Sequence, residues 1–172
     1  MNHESGIKNR RGNLLIESLV SISVILIGFL GVFGLLSRSL GLNKDVSQKF
    51  VATYLAAEGI EVVKSLIDKS FVDELAWNDC CGSGSWEVAY DSTVLAAAPV
   101  EPTSLLFDEA DGSYNYETGV PSPFTRTVEI SEFDRNDDGW PDEIKVNSKV
   151  NWVRRGTAEE INLEDHFFDW RQ

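Results

Sequence analysis

The 172-residue chain carries 28 acidic and 15 basic side chains, a formal charge of −13, with 42% hydrophobic and 25% charged residues. That balance excludes wholesale disorder and leaves room for one domain with an appendage. It also argues against nucleic-acid binding, which needs a cationic face to displace counterions.

The charge is unevenly placed. Residues 71–144 hold 17 acidic residues and two basic ones, Arg126 and Arg135, whereas residues 14–36 hold a single charge, Glu17. The latter stretch, LLIESLVSISVILIGFLGVFGLL, has 23 residues, and at 1.5 Å per residue it makes a helix of roughly 35 Å, enough to cross a bilayer. It is too long for the apolar core of a secretory signal peptide. A fully buried soluble helix is the competing reading, against which stands the small size of the chain. Lys8, Arg10 and Arg11 precede the segment and Arg38, Lys44 and Lys49 follow it, so the positive-inside count is close to a tie.

Glu17 lies one turn inside this helix, where a mid-bilayer charge costs about 2.5 to 3.5 kcal/mol on insertion scales. It needs a partner. Ahead of it runs Arg10-Arg11-Gly12-Asn13-Leu14-Leu15-Ile16-Glu17, a basic leader ending in glycine. Cleavage after Gly12 would place a new amino group on Asn13 at i, i+4 from Glu17, on the same helical face.

Gly12, the acid at the fifth position after it and the uninterrupted apolar run together resemble the type IV prepilin family. The run Ile27-Gly28-Phe29-Leu30-Gly31-Val32-Phe33-Gly34, and Ala56-Ala57-Glu58-Gly59-Ile60-Glu61-Val62-Val63 further on, are similar to PilV-like minor pilins and to the pseudopilins of type II secretion. The resemblance implies cleavage between Gly12 and Asn13 by a prepilin peptidase, methylation of the new terminus, and pairing of Glu17 with the terminal amine of a neighbouring subunit. Asn13 departs from the usual phenylalanine or methionine, which bears on methylation more than on cleavage. The absence of a mid-helix proline points to a minor subunit.

Gly28, Gly31 and Gly34 form a narrow stripe that would let another helix approach closely, unless they reflect only the general tolerance of glycine in membrane helices. Beyond the span, Leu42, Val46, Phe50, Leu55, Ile60, Val63 and Ile67 recur at helical spacing without a proline, so one helix is expected from residue 14 to about 67, amphipathic in its outer half. For each of these residues singly, core packing is the simpler explanation.

Period-2 alternation predicts antiparallel strands over residues 125–132 and 143–153, with Val128 and Ile130 in the first and Ile144, Val146, Val150 and Trp152 in the second. Arg154-Arg155-Gly156-Thr157 marks a turn before a third strand around residues 160–163. An earlier strand is expected at 86–90, and residues 91–123, with four of the five prolines, are expected to be mostly loop. The pilin resemblance implies an α+β fold in which a long N-terminal helix, its first half transmembrane, packs on an antiparallel β-sheet. Its expected divisions are a leader at 1–12, an assembly helix at 13–37, an amphipathic continuation at 38–70 and an acidic, β-rich extracytoplasmic domain at 71–172.

Between the two long strands, Asp134, Asn136 and Asp138 stand at positions 1, 3 and 5 of a loop, with Gly139 at 6, the carbonyl of Trp140 at 7 and Asp142 at 9. This oxygen spacing suits Ca²⁺. Position 12 is Lys145, so the last ligand falls to Asp142, to Glu143 or to a group elsewhere. An acidic solvated hairpin turn is the competing reading. Affinity would be about 10⁻⁴ to 10⁻³ M, useful only outside the cytoplasm.

Cys80 and Cys81 are adjacent and cannot close a long loop. Free thiols, a vicinal disulfide through a distorted ring and bonds to another subunit are all open, whereas a metal site lacks further ligands. Of two histidines, His3 falls in the leader and His166 in an aromatic C-terminal stretch that suits packing or a surface position. No phosphate loop, nucleophile elbow or metalloprotease helix occurs, and an enzyme is not expected. The expected protein is a non-enzymatic minor pilin or pseudopilin, held as a single-pass protein of the cytoplasmic membrane before joining other subunits in a surface filament. A permanently anchored calcium-binding receptor or adhesin is the alternative.

Overall fold

The computed structural model describes residues 5–169, with only the backbone described over residues 5–11. Residues 1–4 of the expected leader, His3 among them, lie outside the described residues. One helix, α1 (Ser5–Val72), is followed by seven strands: β1 (Gly84–Glu87), β2 (Ala96–Ala97), β3 (Ser104–Phe107), β4 (Tyr114–Asn115), β5 (Val120–Phe133), β6 (Glu143–Arg154) and β7 (Thr157–Phe168). The layout is α+β, a long helix whose N-terminal half is apolar and an all-antiparallel sheet. The chain divides into two compact units, one ending at Val46 and the other beginning at Ser47.

In the first unit every large apolar side chain from Leu14 to Leu36 stands exposed. α1 is the one helix among the described residues long and apolar enough to cross a membrane. The hydroxyls of Ser18 and Ser23 donate to the carbonyls of Leu15 and Leu19 at 2.9 and 2.8 Å, which lets serine sit in an apolar helix without an unmet donor.

Of the apolar residues expected at helical spacing, Leu55, Ile60, Val63 and Ile67 enter the core of the second unit, whereas Phe50, like Leu42 and Val46 in the first unit, is exposed. Ile60, Val63, Leu66 and Ile67 pack with Val128 and Ile130 of β5 and with Ile144 and Val146 of β6. Ala52, Leu55 and Ala56 pack with Leu105, Phe124, Val150 and Trp152. Each Val, Leu, Ile or Phe among these contributes roughly 1.5 to 3 kcal/mol through removal from water. Small residues let the helix lie close to the sheet: a Cβ on Gly59 would collide with the Oγ of Ser148 and sit 3.2 Å from Val128 Cγ2.

α1 runs past the expected residue 67 because nothing in Asp68-Lys69-Ser70-Phe71-Val72 breaks it. It stops with Leu75 N–H donating to Ser70 O and Glu74 N–H to Phe71 O, the paired bonds of a Schellman cap. Glu74 takes the left-handed position at φ 57°, which glycine adopts at least cost.

β5 organises the sheet. One edge pairs with β6 from Thr125 to Phe133, while the other takes β1 at residues 128–130 and β3 at 120–125. The strand begins earlier than expected, at Val120, because Pro121 and Pro123 precede the β6 pairing and so remove no donor from that ladder. Residues 91–123 also hold three short strands where loop was expected; β2 to β4 have two to four residues each, too few for a period to show. β6 turns into β7 through Arg155 and Gly156 at φ 50° and 83°, a two-residue type I′ hairpin. β7 pairs only with β6 and forms an edge of the sheet.

Candidate functional site

Three groups of residues carry the chemistry singled out by sequence. In the first, Gly12, Asn13 and Glu17 all lie on α1 and are exposed. Asn13 and Glu17 share one face by their i, i+4 spacing. No hydrogen bond or ion pair joins Glu17 to another described side chain. Nothing lies within 4 Å of a Cβ built on Gly28, Gly31 or Gly34, so the stripe is smooth and uncovered.

The second group is the β5–β6 loop. Asp134 accepts the N–H of Gly139 at 2.8 Å and that of Asp138 at 3.3 Å, and Asn136 Oδ1 accepts the same Asp138 N–H at 3.1 Å. Oxygens of positions 1 and 3 are thereby drawn to one point. Asp138 Oδ1 accepts the Trp140 N–H at 2.9 Å, and its other oxygen accepts from Asn136 Nδ2 at 3.1 Å. Asp142 faces the N–H of Arg135 at 3.2 and 3.3 Å. Side-chain oxygens of Asp134, Asn136 and Asp138 are thus gathered on the inside of a tight turn, with Gly139 at φ 92°. Among the described residues, no three or more His, Cys, Asp or Glu side chains are gathered as a metal group.

Glu143 does not belong to that gathering. It is fully buried, paired with the guanidinium of Arg135 and 2.5 Å from Nδ1 of His166. His166 is neither buried nor idle: its other ring nitrogen lies 3.1 Å from Glu164. Hydrogen bonds from Lys145, Asn147 and His166 hold the Glu164 carboxyl down at about 2.

In the third group, Cys80 and Cys81 are bonded to each other. Asn78 donates to Glu132 Oε1 at 2.9 Å, and the Ser83 N–H to Glu132 Oε2 at 3.1 Å, which fastens the cysteine-bearing turn to the end of β5.

Sequence reasoning missed Arg126. Its side chain is sealed from solvent, with NH1 donating to Leu55 O at 2.9 Å and to Glu58 Oε1 at 2.7 Å, and NH2 donating to the Val88 carbonyl. Tyr116 donates its hydroxyl to the Arg126 carbonyl at 3.3 Å, and burial pushes the phenol up to about 12. The parity of β5 carried the signal: Phe124, Arg126, Val128 and Ile130 are all buried positions of one face.

Comparison with known protein families, with curated proteins and with solved structures returned no match for the chain.

Proposed function

We propose that the chain is a minor subunit, a minor pilin or pseudopilin, of a type IV pilus-like filament, with a pilin-type fold and no catalytic role of its own. The observation that carries this reading is the conjunction on α1 of Gly12, Glu17 five residues later as the sole acid of a wholly exposed apolar segment, and no described side chain to neutralise it. Cleavage after Gly12 by a prepilin peptidase would free the amine of Asn13, a methylation site in the family it resembles. The equivalent amine of a neighbouring subunit would then neutralise Glu17, a charge that is costly to keep in lipid.

Before assembly the apolar half of α1 would hold the protein in the cytoplasmic membrane with its acidic domain outside. In the filament the same surface would pack against other subunits, and the Gly28, Gly31 and Gly34 stripe would allow the close approach. In the exposed domain, Asp134, Asn136, Asp138, Asp142 and the carbonyl of Trp140 would hold a weakly bound Ca²⁺. Glu143, engaged with Arg135 and His166, is left out of that set.

Intact mass and N-terminal sequence of the protein from native membranes and sheared surface material test the reading. A chain starting at Asn13 is expected. A chain still starting at Met1 in cells with an active prepilin peptidase would replace the filament subunit with a permanent anchor.

A further inference from the structure

We propose that the pocket between the end of α1 and the β5–β6 loop binds a basic side chain, lysine or arginine, presented by a partner protein. The proposal is independent of filament assembly and concerns what the exposed domain recognises. The pocket has a volume of about 720 Å³ and lies wholly within the second unit. Phe71, Trp77 and Trp140 supply its aromatic lining, and Glu74, Asp138 and Asp169 its acidic lining; among the described residues no Lys, Arg or His lines it.

The hydrogen-bonding inventory selects the ligand. Trp77 Nε1 already donates to Pro141 O at 3.1 Å, and the Asn78 amide donates to Glu132. Among the described lining residues the Trp140 indole and the second N–H of the Asn78 amide are the remaining side-chain donors, so the pocket offers mainly carboxylates and ring faces. An anion would be repelled, and a sugar would find few donors for its oxygens. A guanidinium or ammonium group on an aliphatic stem meets both surfaces, the stem against the rings and the charge over ring faces and carboxylates.

Trp140 is 72% exposed, an unusual position for so large an apolar side chain. Its backbone N–H donates to Asp138, whose own backbone N–H is accepted by Asp134 and Asn136, so the main chain that carries the ring is fixed by the loop. The charge of −13 on the chain opposes a second copy as the occupant and would steer a basic surface toward the site.

The test uses the full chain in a non-ionic detergent with a chelator present, its tryptophans isotope-labelled, so that the indole N–H signals are read one by one by NMR. The probes are acetyl-Gly-Arg-Gly-amide and, as the uncharged control, acetyl-Gly-Gln-Gly-amide. The arginine peptide is expected to shift the Trp77 and Trp140 signals saturably, with a Kd on the order of 1 mM, and to leave Trp86 and Trp152 in place. Trp140→Ala should weaken binding about tenfold while Trp140→Phe keeps most of it. Glu74→Gln should weaken it roughly threefold and flatten its salt dependence. An unmoved Trp152 signal verifies that each variant is folded. The proposal is overturned by no saturable shift at Trp140, by an equal response to the glutamine peptide, or by an equal response to methyl glucoside, which would give the pocket to carbohydrate. Should Trp140→Ala disturb Trp152, Glu74→Gln and salt decide: binding indifferent to both removes the cation from the account.

Discussion

Arg126 of β5 reaches Glu58 of α1 at 2.7 Å across the interior of the second unit, tying the sheet to the helix by charge where the surrounding contacts are apolar. Removing one member of such a pair leaves the other uncompensated. Glu58 is one-third exposed, so Glu58→Ala should destabilise the 47–172 unit by about 2 kcal/mol, below the range for fully buried pairs. Urea unfolding of Glu58→Ala, Arg126→Met and the double variant checks this. The double variant should be more stable than the sum of the single losses implies, and strict additivity would mean the pair is not coupled.

Gly59→Ala should destabilise although alanine is the better helix former by about 1 kcal/mol. The added methyl meets Ser148 Oγ and Val128 Cγ2 across the helix–sheet contact, and overpacking of this kind costs about 1 to 3 kcal/mol. Ser148→Ala in the same chain should recover part of the loss in thermal melting. A gain from Gly59→Ala alone would show that the helix can stand off without penalty.

Tyr116 gives the alkaline side of the stability profile. Its hydroxyl stays protonated to about 12 in the folded state, against about 10 in the unfolded chain. A neutral form favoured by folding means that stability is complete below pH 10 and is lost as pH rises from 10 through 12, by about 2 kcal/mol. Tyr116→Phe should flatten that decline relative to the parent and remove the last of the tyrosinate absorbance transitions, leaving Tyr114, which burial also pushes up. A transition near 12 that persists in the variant would assign it elsewhere.

Glu17→Ala should leave membrane insertion intact, and ease it, while cutting incorporation into filaments by about tenfold or more, since the neutralising pair is lost. Fractionation of membranes and sheared filaments measures both. Normal incorporation would remove the proposed role of Glu17.

Millimolar Ca²⁺ should raise the melting temperature of the 47–172 fragment by a few degrees, as expected of a weak site. Asp134→Ala combined with Asp138→Ala should abolish the rise. A parent protein indifferent to Ca²⁺ would return the loop to a self-capped acidic turn.

The helix and the strands β5 and β6 were legible in the sequence because their apolar periods extend over many residues, whereas of the twelve-residue β7 only residues around 160–163 were expected, from the turn ahead of them. β6 shows this best: Ile144, Val146, Val150 and Trp152 are buried in the expected alternation, with the small Ser148 filling the missing place under Gly59. What stayed hidden depends on pairing rather than period. Arg126 occupies an inward position and is tolerated there only because Glu58 and two carbonyls, from Leu55 and Val88, meet it, and a linear sequence does not display those partners. The same holds for Glu143, which adjoins the acidic loop in sequence yet turns to Arg135 and to His166, 23 residues on. The spacing of the loop oxygens was legible; which acid leaves the loop was not.

The open edge of β7 has a consequence for how copies of this chain can meet. A twelve-residue strand with one unpaired side is a template for adding another strand. β7 carries Glu159, Glu160, Glu164 and Asp165 and no lysine or arginine, so a second β7 laid alongside would bring acid against acid in either direction. Like charges opposite one another weaken strand pairing. The sheet is thereby guarded against runaway edge-to-edge polymerisation, even at the high local concentrations that molecules held side by side in one membrane would reach.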